Sequence, residues 1–330
     1  MACGGSSRHS AVSISRASAG VQSEFQARNL RLMEQVMVRI ERILCPVDFS
    51  ESSATVYDHA QSLARRYQAK LFLQHVVDFI LPAYSYYGPA TYLDDNFRRI
   101  CAGAREQLQE FAKSHTRNGV QPECLVHEGE VTGSILSFAE SQMVDLIVMG
   151  THGLKGLDRV ILGSVAEKVL RKAHCPVLVI PKPGPDVVAT EGAHDPVQLR
   201  RVIFGSDFSD PSRRALEYAL SAVEEYDAEL TLLHVLESVP SSADIEEAIA
   251  KATEQLETLI PPERARAGQA KTMVRIGRAY QQIIQLALEI QADLLIMAVQ
   301  GRNALDLAVF GSTTYRVIQL GSWPVLAVHG

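Results

Sequence analysis

Asp145-Leu-Ile-Val-Met-Gly-Thr-His-Gly153 opens the stretch of sequence that decides the fold, and nine residues later it continues as Gly163-Ser-Val-Ala-Glu-Lys-Val-Leu170. The apolar run before Gly150 predicts a buried strand, and the segment after Gly163 predicts a helix. Glycines let other groups approach the backbone closely, and the first turn of a helix offers unpaired N–H groups. A strand, a glycine-punctuated loop and a helix N-terminus in this order are typical of a phosphate site.

The stretch recurs in the second half of the chain as Asp293-Leu-Leu-Ile-Met297, Ala298, Gly301, nine residues and Gly311-Ser312. Other segments recur in the same order. The pairs are Ile43–Ser50 with Val202–Ser209, Leu71–Val76 with Leu230–Val235, Val126–Gly129 with Val274–Gly277, and Cys175–Ile180 with Trp323–Val328. Because the unit is far longer than the roughly 20–50 residues of repeat arrays, we interpret the chain as a duplicated domain rather than a solenoid.

Length and composition indicate an ordinary globular protein. The 330 residues suffice for two domains that each bury a core, and 47% of them are hydrophobic and 21% charged. The net charge of −6 argues against a nucleic-acid-binding surface. We expect no membrane-spanning helix, because no apolar run reaches about 18 residues. The 5 cysteines are scattered without a Cys-x-x-Cys pair, which is typical of a reducing compartment and predicts a cytoplasmic protein.

Alternating strand and helix patterns in each half predict α/β domains of the doubly wound, Rossmann-like type, with mostly parallel sheets and helices on both faces. The predicted segments are a tail plus an amphipathic helix over 1–40, a first domain over 41–182, a Pro-rich linker over 183–199 and a second domain over 200–330. The Ser-, Gly- and Ala-rich residues 1–20 fit a disordered tail or an organelle transit peptide. The tyrosine-rich residues 79–92 fit either a lid over a ligand or a cover for an apolar face.

Asp48 follows the first predicted strand and precedes a helix that Ser50 is positioned to cap. In a doubly wound sheet, ligands bind beyond the carboxyl ends of the strands, where a carboxylate accepts hydrogen bonds from ribose hydroxyls or an exocyclic amine. The alternative is that Asp48 serves only a turn or a helix cap. Ser164 has a similar alternative, because Ser164-x-x-Glu167 is also a capping box.

Other signatures of nucleotide chemistry are absent, including G-x-x-x-x-G-K-[ST] and a G-x-G-x-x-G after the first strand. The loop cations Lys155 and Arg159 are able to neutralise phosphate, although such residues are more often only solvated. No triad, carboxylate pair or metal-ligand set follows from spacing, so we predict no catalytic residues and no metal site. At the matching positions His75 and His234 we expect packed or hydrogen-bonded imidazoles.

The combined pattern resembles the universal stress protein family over residues 43–181 and 201–329. Its nucleotide-binding members carry G-x-x-G, nine residues and G-[S/T] after the fourth strand, as here. The resemblance implies a five-stranded sheet of order 3-2-1-4-5 in each domain, with adenosine at Asp48 and Val76 and phosphates at the glycines and Ser164. The implied nucleotide contacts are Pro46, Val47, Asp48, Val76, Met149, Gly150, Gly153, Gly163, Ser164 and Val165.

The second domain departs from the pattern at Ala298, which stands where the first domain has Gly150. If the backbone there needs a positive φ, alanine costs about 1 kcal/mol, and if the glycine admits a ligand, the added methyl group blocks it. We therefore expect a weakened or empty second site. Its residues are Asp207, Val235, Gly301, Gly311 and Ser312.

The favoured hypothesis is an ATP-binding protein of stress response or signalling. ATP, with Mg²⁺ or Mn²⁺, would occupy the first domain and bias a conformation or the binding of an unidentified protein partner. The second domain would serve as an intramolecular pseudo-dimer partner, with a homodimer as a further option and no nucleic acid or membrane as partner. The alternatives are a slow ATPase or autophosphorylating enzyme with Ser164 as acceptor, and a nucleotide-free scaffold.

Each domain ends in an apolar strand, Val177–Ile180 in the first and Val325–Val328 in the second. An apolar edge strand invites aggregation, so we expect these two strands to pair antiparallel across a pseudo-twofold axis. If the N–H group of Leu178 belongs to this pairing, a proline there should loosen it.

Overall fold

A computed structural model describes residues 38–78, 90–116, 119–151, 162–182, 197–238, 244–261, 264, 269–299 and 311–329. The described residues from Arg39 onward belong to one compact unit. The predicted tail, most of the predicted N-terminal helix, the linker up to residue 196 and the tyrosine-rich segment up to residue 89 lie outside these residues. No helix in the described ranges is both long enough and apolar enough to cross a bilayer.

The first half of the chain alternates strands and helices. Its strands are β1 (Arg42–Pro46), β2 (Lys70–Val77), β3 (Glu123–Glu128), β4 (Leu146–Gly150) and β5 (Val177–Ile180). Its helices are α1 (Glu51–Tyr67), α2 (Ala90–His115), α3 (Val131–Ser141) and α4 (Ser164–Lys172). The predicted alternation of strands and helices is confirmed.

The second half repeats the scheme. Its strands are β6 (Arg201–Ser206), β7 (Glu229–Leu236), β8 (Ala270–Ile276), β9 (Leu294–Ala298) and β10 (Val325–Val328). Its helices are α5 (Asp210–Tyr226), α6 (Ile245–Leu259), α7 (Ala279–Ile290) and α8 (Ser312–Leu320).

All ten strands lie in one sheet of order β3-β2-β1-β4-β5-β10-β9-β6-β7-β8. Neighbouring strands within each half are parallel. Counted from its outer strand, each half has the order 3-2-1-4-5. The prediction of two tandem Rossmann-like folds with this order is therefore confirmed.

The two halves join where β5 meets β10, a pairing that we call the seam. The strands run antiparallel, with Val179 opposite Val325 and Val177 opposite Ala327. The predicted antiparallel pairing of the terminal strands is therefore confirmed. Both strands are covered on both edges, because β4 and β9 flank the seam.

Leu178 does not contribute a backbone hydrogen bond to the seam. In β5, the carbonyl of Ile180 accepts a hydrogen bond from the amide of Thr151, which follows β4. Alternate residues of a strand direct their peptide groups to the same neighbour, so Leu178 also bonds to β4, while Val177 and Val179 bond to β10. The idea that a proline at Leu178 tests the seam is therefore wrong, and Val179 is the position that tests it.

Two apolar cores lie on opposite faces of the sheet, and each runs through both halves. Helices α1, α2, α5 and α6 cover one face, and α3, α4, α7 and α8 cover the other. Tyr57 and Leu108 are fully buried on the first face, as are Val169 and Leu286 on the second. The helices thereby leave the carboxyl ends of the strands as the edge at which a ligand can reach the sheet.

Side chains link the halves on both faces of the sheet. Arg66, near the end of α1, bonds Glu225 of α5, and its guanidinium carbon lies 4.9 Å from the ring centroid of Tyr226. On the other face, Nε2 of His329 donates to the carbonyl of Leu170 in α4 at 2.8 Å. The docking of the halves therefore includes polar contacts beside the seam.

His329 should make the stability of the protein depend on pH. Burial lowers the pKa of His329, and its hydrogen bond to the carbonyl of Leu170 only partly opposes this effect. Because the unfolded chain takes up the proton near the ordinary pKa of about 6.5, the free energy of unfolding should fall as the pH drops below that value. His329→Gln keeps a donor without titrating, and should reduce the slope by at most about 1.4 kcal/mol per pH unit. Urea unfolding at several pH values measures both slopes, and equal slopes would contradict the expectation.

Candidate functional site

The candidate site lies at the carboxyl edge of the first half of the sheet, between β1 and β4. These strands are parallel neighbours, with Leu44 opposite Ile147. From β1 the chain winds outward to β2 and β3, whereas β4 leads the other way to β5. Doubly wound sheets bind ligands at such a reversal of strand order. Pro46 ends β1 and Gly150 ends β4, so both residues open onto this crevice.

Asp48 organises the turn that follows β1. Its Oδ1 accepts hydrogen bonds from the amide of Ser50 at 3.1 Å and from the hydroxyl of Ser53 at 3.0 Å. Ser50 occupies the predicted N-cap position of α1, but its side chain makes no capping hydrogen bond and its hydroxyl lies 3.0 Å from that of Ser52. The carboxylate of Asp48 therefore fixes the turn, at the rim of the crevice where a ligand would bind.

Phe49 is a residue of this turn that the sequence analysis missed. Its φ of 61° lies in the left-handed region, which a bulky side chain rarely adopts. Its ring centroid lies 4.4 Å from that of His75, whose Nδ1 donates to the carbonyl of Val47 at 2.9 Å. In the second half, Phe208 has a φ of 63°, and its ring centroid lies at the same 4.4 Å from that of His234. Strained backbone of this kind concentrates at functional sites, and the repeated Asp-Phe-Ser was the available signal.

The expectation for the two strand-end histidines is confirmed. His75 bonds the backbone carbonyl of Val47, and His234 bonds that of Ser206 at 2.8 Å. Each imidazole therefore braces the strand that ends beside it.

Apolar side chains line the same edge of the sheet. Val76 and Met149 are buried in the core on the α3 and α4 face, and Val165 of α4 packs against that core. By strand alternation, Pro46 faces the same side. Val47 differs, because its side chain packs into the core on the opposite face. Four of the predicted contacts thus converge on one apolar wall, and the side chain of Val47 does not join them.

Two backbone hydrogen bonds close the neck of the glycine loop. The amide of Thr151 donates to the carbonyl of Ile180 at 3.1 Å, and the amide of Gly163 donates to the carbonyl of Thr151 at 2.8 Å. Gly163 directly precedes α4, whose first residue is Ser164. The neck therefore holds the N-terminus of α4 beside the end of β4. The predicted loop residues outside the described ranges are Gly153, Lys155 and Arg159.

Ser164 does not form the predicted capping box. Gly163 occupies the N-cap position, and no side chain caps α4. Glu167 instead pairs with Arg171 one turn later, with 2.9 Å between a guanidinium nitrogen and the carboxylate. The alternative that Ser164 serves in a capping box is therefore wrong. Ser164 is exposed and lies in the first turn of α4.

The second half has the same neck. The amide of Val299 donates to the carbonyl of Val328, and the amide of Gly311 donates to the carbonyl of Val299, both at 2.8 Å. Gly311 precedes α8, and Ser312 is the first residue of that helix. Gly301 lies outside the described residues.

Backbone conformation does not explain the exchange of Gly150 for Ala298. Gly150 pairs with Ile180 as the last residue of β4, and Ala298 pairs with Val328 as the last residue of β9. Within the described ranges, the glycines with positive φ are Gly119, Gly129 and Gly277. Of the two explanations for this glycine, the one based on positive φ is therefore wrong, and the approach of a ligand remains.

Asp207 holds a turn like that of Asp48. Its Oδ1 accepts hydrogen bonds from the amide and the hydroxyl of Ser209, at 3.0 and 2.6 Å. Ser209 also caps α5 by accepting a hydrogen bond from the amide of Ser212 at 3.3 Å. Val235, the counterpart of the buried Val76, is only half-buried. The turn chemistry of the two halves is therefore shared, while the apolar wall is more open in the second.

The two halves differ in charge where the third and fourth helices of each begin. Backbone N–H groups at the start of α3 lower the pKa of its cap, Glu130, which lies 4.0 Å from Lys168 of α4. In the second half, hydrogen bonds from Arg278 and Arg316 lower the pKa of Tyr280. The second half is thus the more positive at this place, so the expected weakness of its site depends on Ala298 and not on charge.

The described residues contain no group of three or more His, Cys, Asp or Glu side chains able to hold a metal ion. Cys124 and His127 are possible metal ligands three residues apart on β3, but their side chains lie on opposite faces of the sheet, as strand alternation requires. Cys124 packs against the core of the α1 and α2 face, whereas the ring centroid of His127 lies 5.2 Å from that of Phe138 in α3.

Comparison with known proteins gives a consistent result. The sequence profile of the Universal stress protein family matches residues 39–181 and again 198–329. A universal stress protein of Methanocaldococcus jannaschii is 37% identical over 147 residues, which cover 43% of this chain and 83% of that protein. A universal stress protein of Mycolicibacterium smegmatis is 27% identical over 297 residues, which cover 87% and 96%.

Among solved structures, a universal stress protein from Archaeoglobus fulgidus DSM 4304 is similar at a TM-score of 0.61 and 22% identity. The similarity covers 89% of this chain and 98% of that one. At 22% identity, this similarity supports a common fold and nothing further.

Proposed function

This chain belongs to the universal stress protein family, and from that premise we propose that it is an ATP-binding protein of stress response or signalling. The first domain, over residues 41–182, holds the nucleotide. The second, over residues 200–330, is its intramolecular partner with a weaker site. Bound ATP acts through the conformation of the pair or the surface that the pair presents to a protein partner.

One observation carries the proposal: three kinds of recognition group converge at the point where strand order reverses. The turn carboxylate of Asp48 suits the ribose hydroxyls, and the buried wall formed by Val76 and Met149 suits the faces of a base. The N–H groups at the start of α4, beside Gly163 and Ser164, suit the phosphates. A divalent ion, Mg²⁺ or Mn²⁺, would then be held chiefly by phosphate oxygens, since its preferred ligands are oxygens and waters.

Asp48→Ala should weaken ATP binding about tenfold, because a hydrogen bond to the ribose is lost. Asp207→Ala is the matched control, since Asp207 holds the equivalent turn in the second half. Both substitutions should lower the free energy of unfolding by a similar amount of about 1 kcal/mol. Calorimetric titration with ATP and Mg²⁺ measures the affinity, and urea unfolding measures the stability. Equal effects of the two substitutions on the affinity, or no ATP binding by the unmodified chain, would overturn the proposal.

A further inference from the structure

Gln74 is a buried polar residue that the proposed contacts leave unexplained. It lies on β2 opposite Pro46 of β1 and Leu125 of β3, and it is 0% exposed. By strand alternation its side chain faces the same side as Val76, two residues further along the strand. Gln74 therefore lies at the foot of the apolar wall of the candidate site.

The side-chain amide of Gln74 is held in one orientation. Its Nε2 lies 2.6 Å from Nδ1 of His127 and 3.4 Å from the carbonyl oxygen of Ser134. The backbone carbonyl of Ser134 can only accept a hydrogen bond, so the amide nitrogen of Gln74 is assigned to this side. Nδ1 of His127 then accepts from the same nitrogen. The other end, Oε1, is buried without a hydrogen-bond partner among the described residues. A buried carbonyl oxygen left unpaired is destabilising, so this oxygen is available to accept a hydrogen bond from a ligand.

The second half lacks this arrangement. The position of Gln74 is taken there by Leu233, which is 1% exposed, and that of His127 by Arg275, which pairs with Glu289. The buried amide thus occurs in the half that also has Gly150 at the end of its fourth strand. A ligand bound in the first half alone would account for both features.

We propose that Gln74 is a specificity-determining residue of the nucleotide site, whose Oε1 accepts a hydrogen bond from the amino group on the edge of an adenine base. This inference rests on the proposed function. The faces of the base would lie against Val76 and Met149, and an acceptor at the foot of that wall would select a base edge that carries an N–H donor. A hypoxanthine base presents an acceptor at the same place and would leave two oxygens facing each other without a proton.

The test compares ATP with purine riboside triphosphate, which lacks the 6-amino group, and with inosine triphosphate. The unmodified chain should bind ATP about tenfold more tightly than either analogue. Gln74→Leu, which copies Leu233 of the second half, should bring the ratio close to one by weakening ATP. A purely structural role of Gln74 would weaken all three nucleotides equally and leave the ratio unchanged, which would overturn the inference.

A second variant guards against misfolding of the first. His127→Leu removes the acceptor that orients the amide, and it should also lower the preference for ATP. A ratio near one in the unmodified chain, or an unchanged ratio in the variant that folds, overturns the role of Gln74 while nucleotide binding itself stands. Failure of the unmodified chain to bind any of the three nucleotides overturns both this inference and the proposed function.

Discussion

Gly163→Val is expected to raise the dissociation constant for ATP by on the order of a hundredfold, or about 3 kcal/mol, while the chain stays folded. Gly163 has φ −60° and ψ 142°, a conformation open to any residue, and its bond to Thr151 uses the backbone amide alone. The valine side chain would instead fill the space through which phosphates reach the start of α4. Calorimetric titration should show about one strong site per unmodified chain and none in the variant.

Gly311→Val is the matched control for this prediction. Gly311 has φ −59° and ψ 125°, precedes α8, and makes the equivalent bond to Val299. Because Ala298 should already hinder the second site, Gly311→Val should leave the strong site unchanged. Two equal sites in the unmodified chain, or loss of the strong site in the control, would contradict the assignment of the nucleotide to the first domain.

Val179→Pro is expected to lower the free energy of unfolding by about 3 kcal/mol or more. Val179 and Val325 face each other in the seam and are each 1% exposed. The proline removes the N–H group that bonds to β10, and the carbonyl of Val325 is then left buried without its donor. Urea unfolding measures the loss, and hydrogen exchange should show reduced protection of the amides of Val177 and Val325.

Val179→Ala separates this effect from the loss of side-chain packing. The alanine keeps the N–H group and removes only methyl groups, so it should destabilise the chain without exposing the amide of Val325 to exchange. If both variants lose protection at Val325 to the same extent, the backbone bonds of the seam are not what holds the halves together.

The fold was predictable because the duplicated pattern carries the same information twice. Apolar runs bounded by glycine, and helices between them, predict a doubly wound sheet from local sequence alone. The order of the strands came from the family resemblance, since alternation does not say which parallel strands are neighbours. The antiparallel seam followed from the need to cover an apolar edge, but its bonding pattern did not. Whether the backbone N–H group of Leu178 or that of Val179 bonds to β10 depends on the register of the strands. Two apolar strands of four residues do not encode this register.

The candidate site was predictable where it depends on residue type and less so where it depends on conformation. Asp48 and Gly163 were recognisable by their position after a strand and before a helix. The capping box at Ser164 was wrong by one residue, because a cap is set by the residue that leaves the helical conformation. The repeated Asp-Phe-Ser marks the turn but not the left-handed backbone of Phe49, and the unpaired oxygen of Gln74 has no local sequence signature because it arises from packing between separate elements.

The seam also makes the pairing of the two halves independent of the concentration of the protein. Two strands that belong to one chain meet at an effective concentration on the order of millimolar, which dilution does not change. Separate single-domain chains that paired through such an edge would come apart when scarce. Here the edges of β5 and β10 are already occupied, and the outer strands of the sheet are β3 and β8. The two crevices therefore keep a fixed mutual orientation whether the cell contains few copies or many.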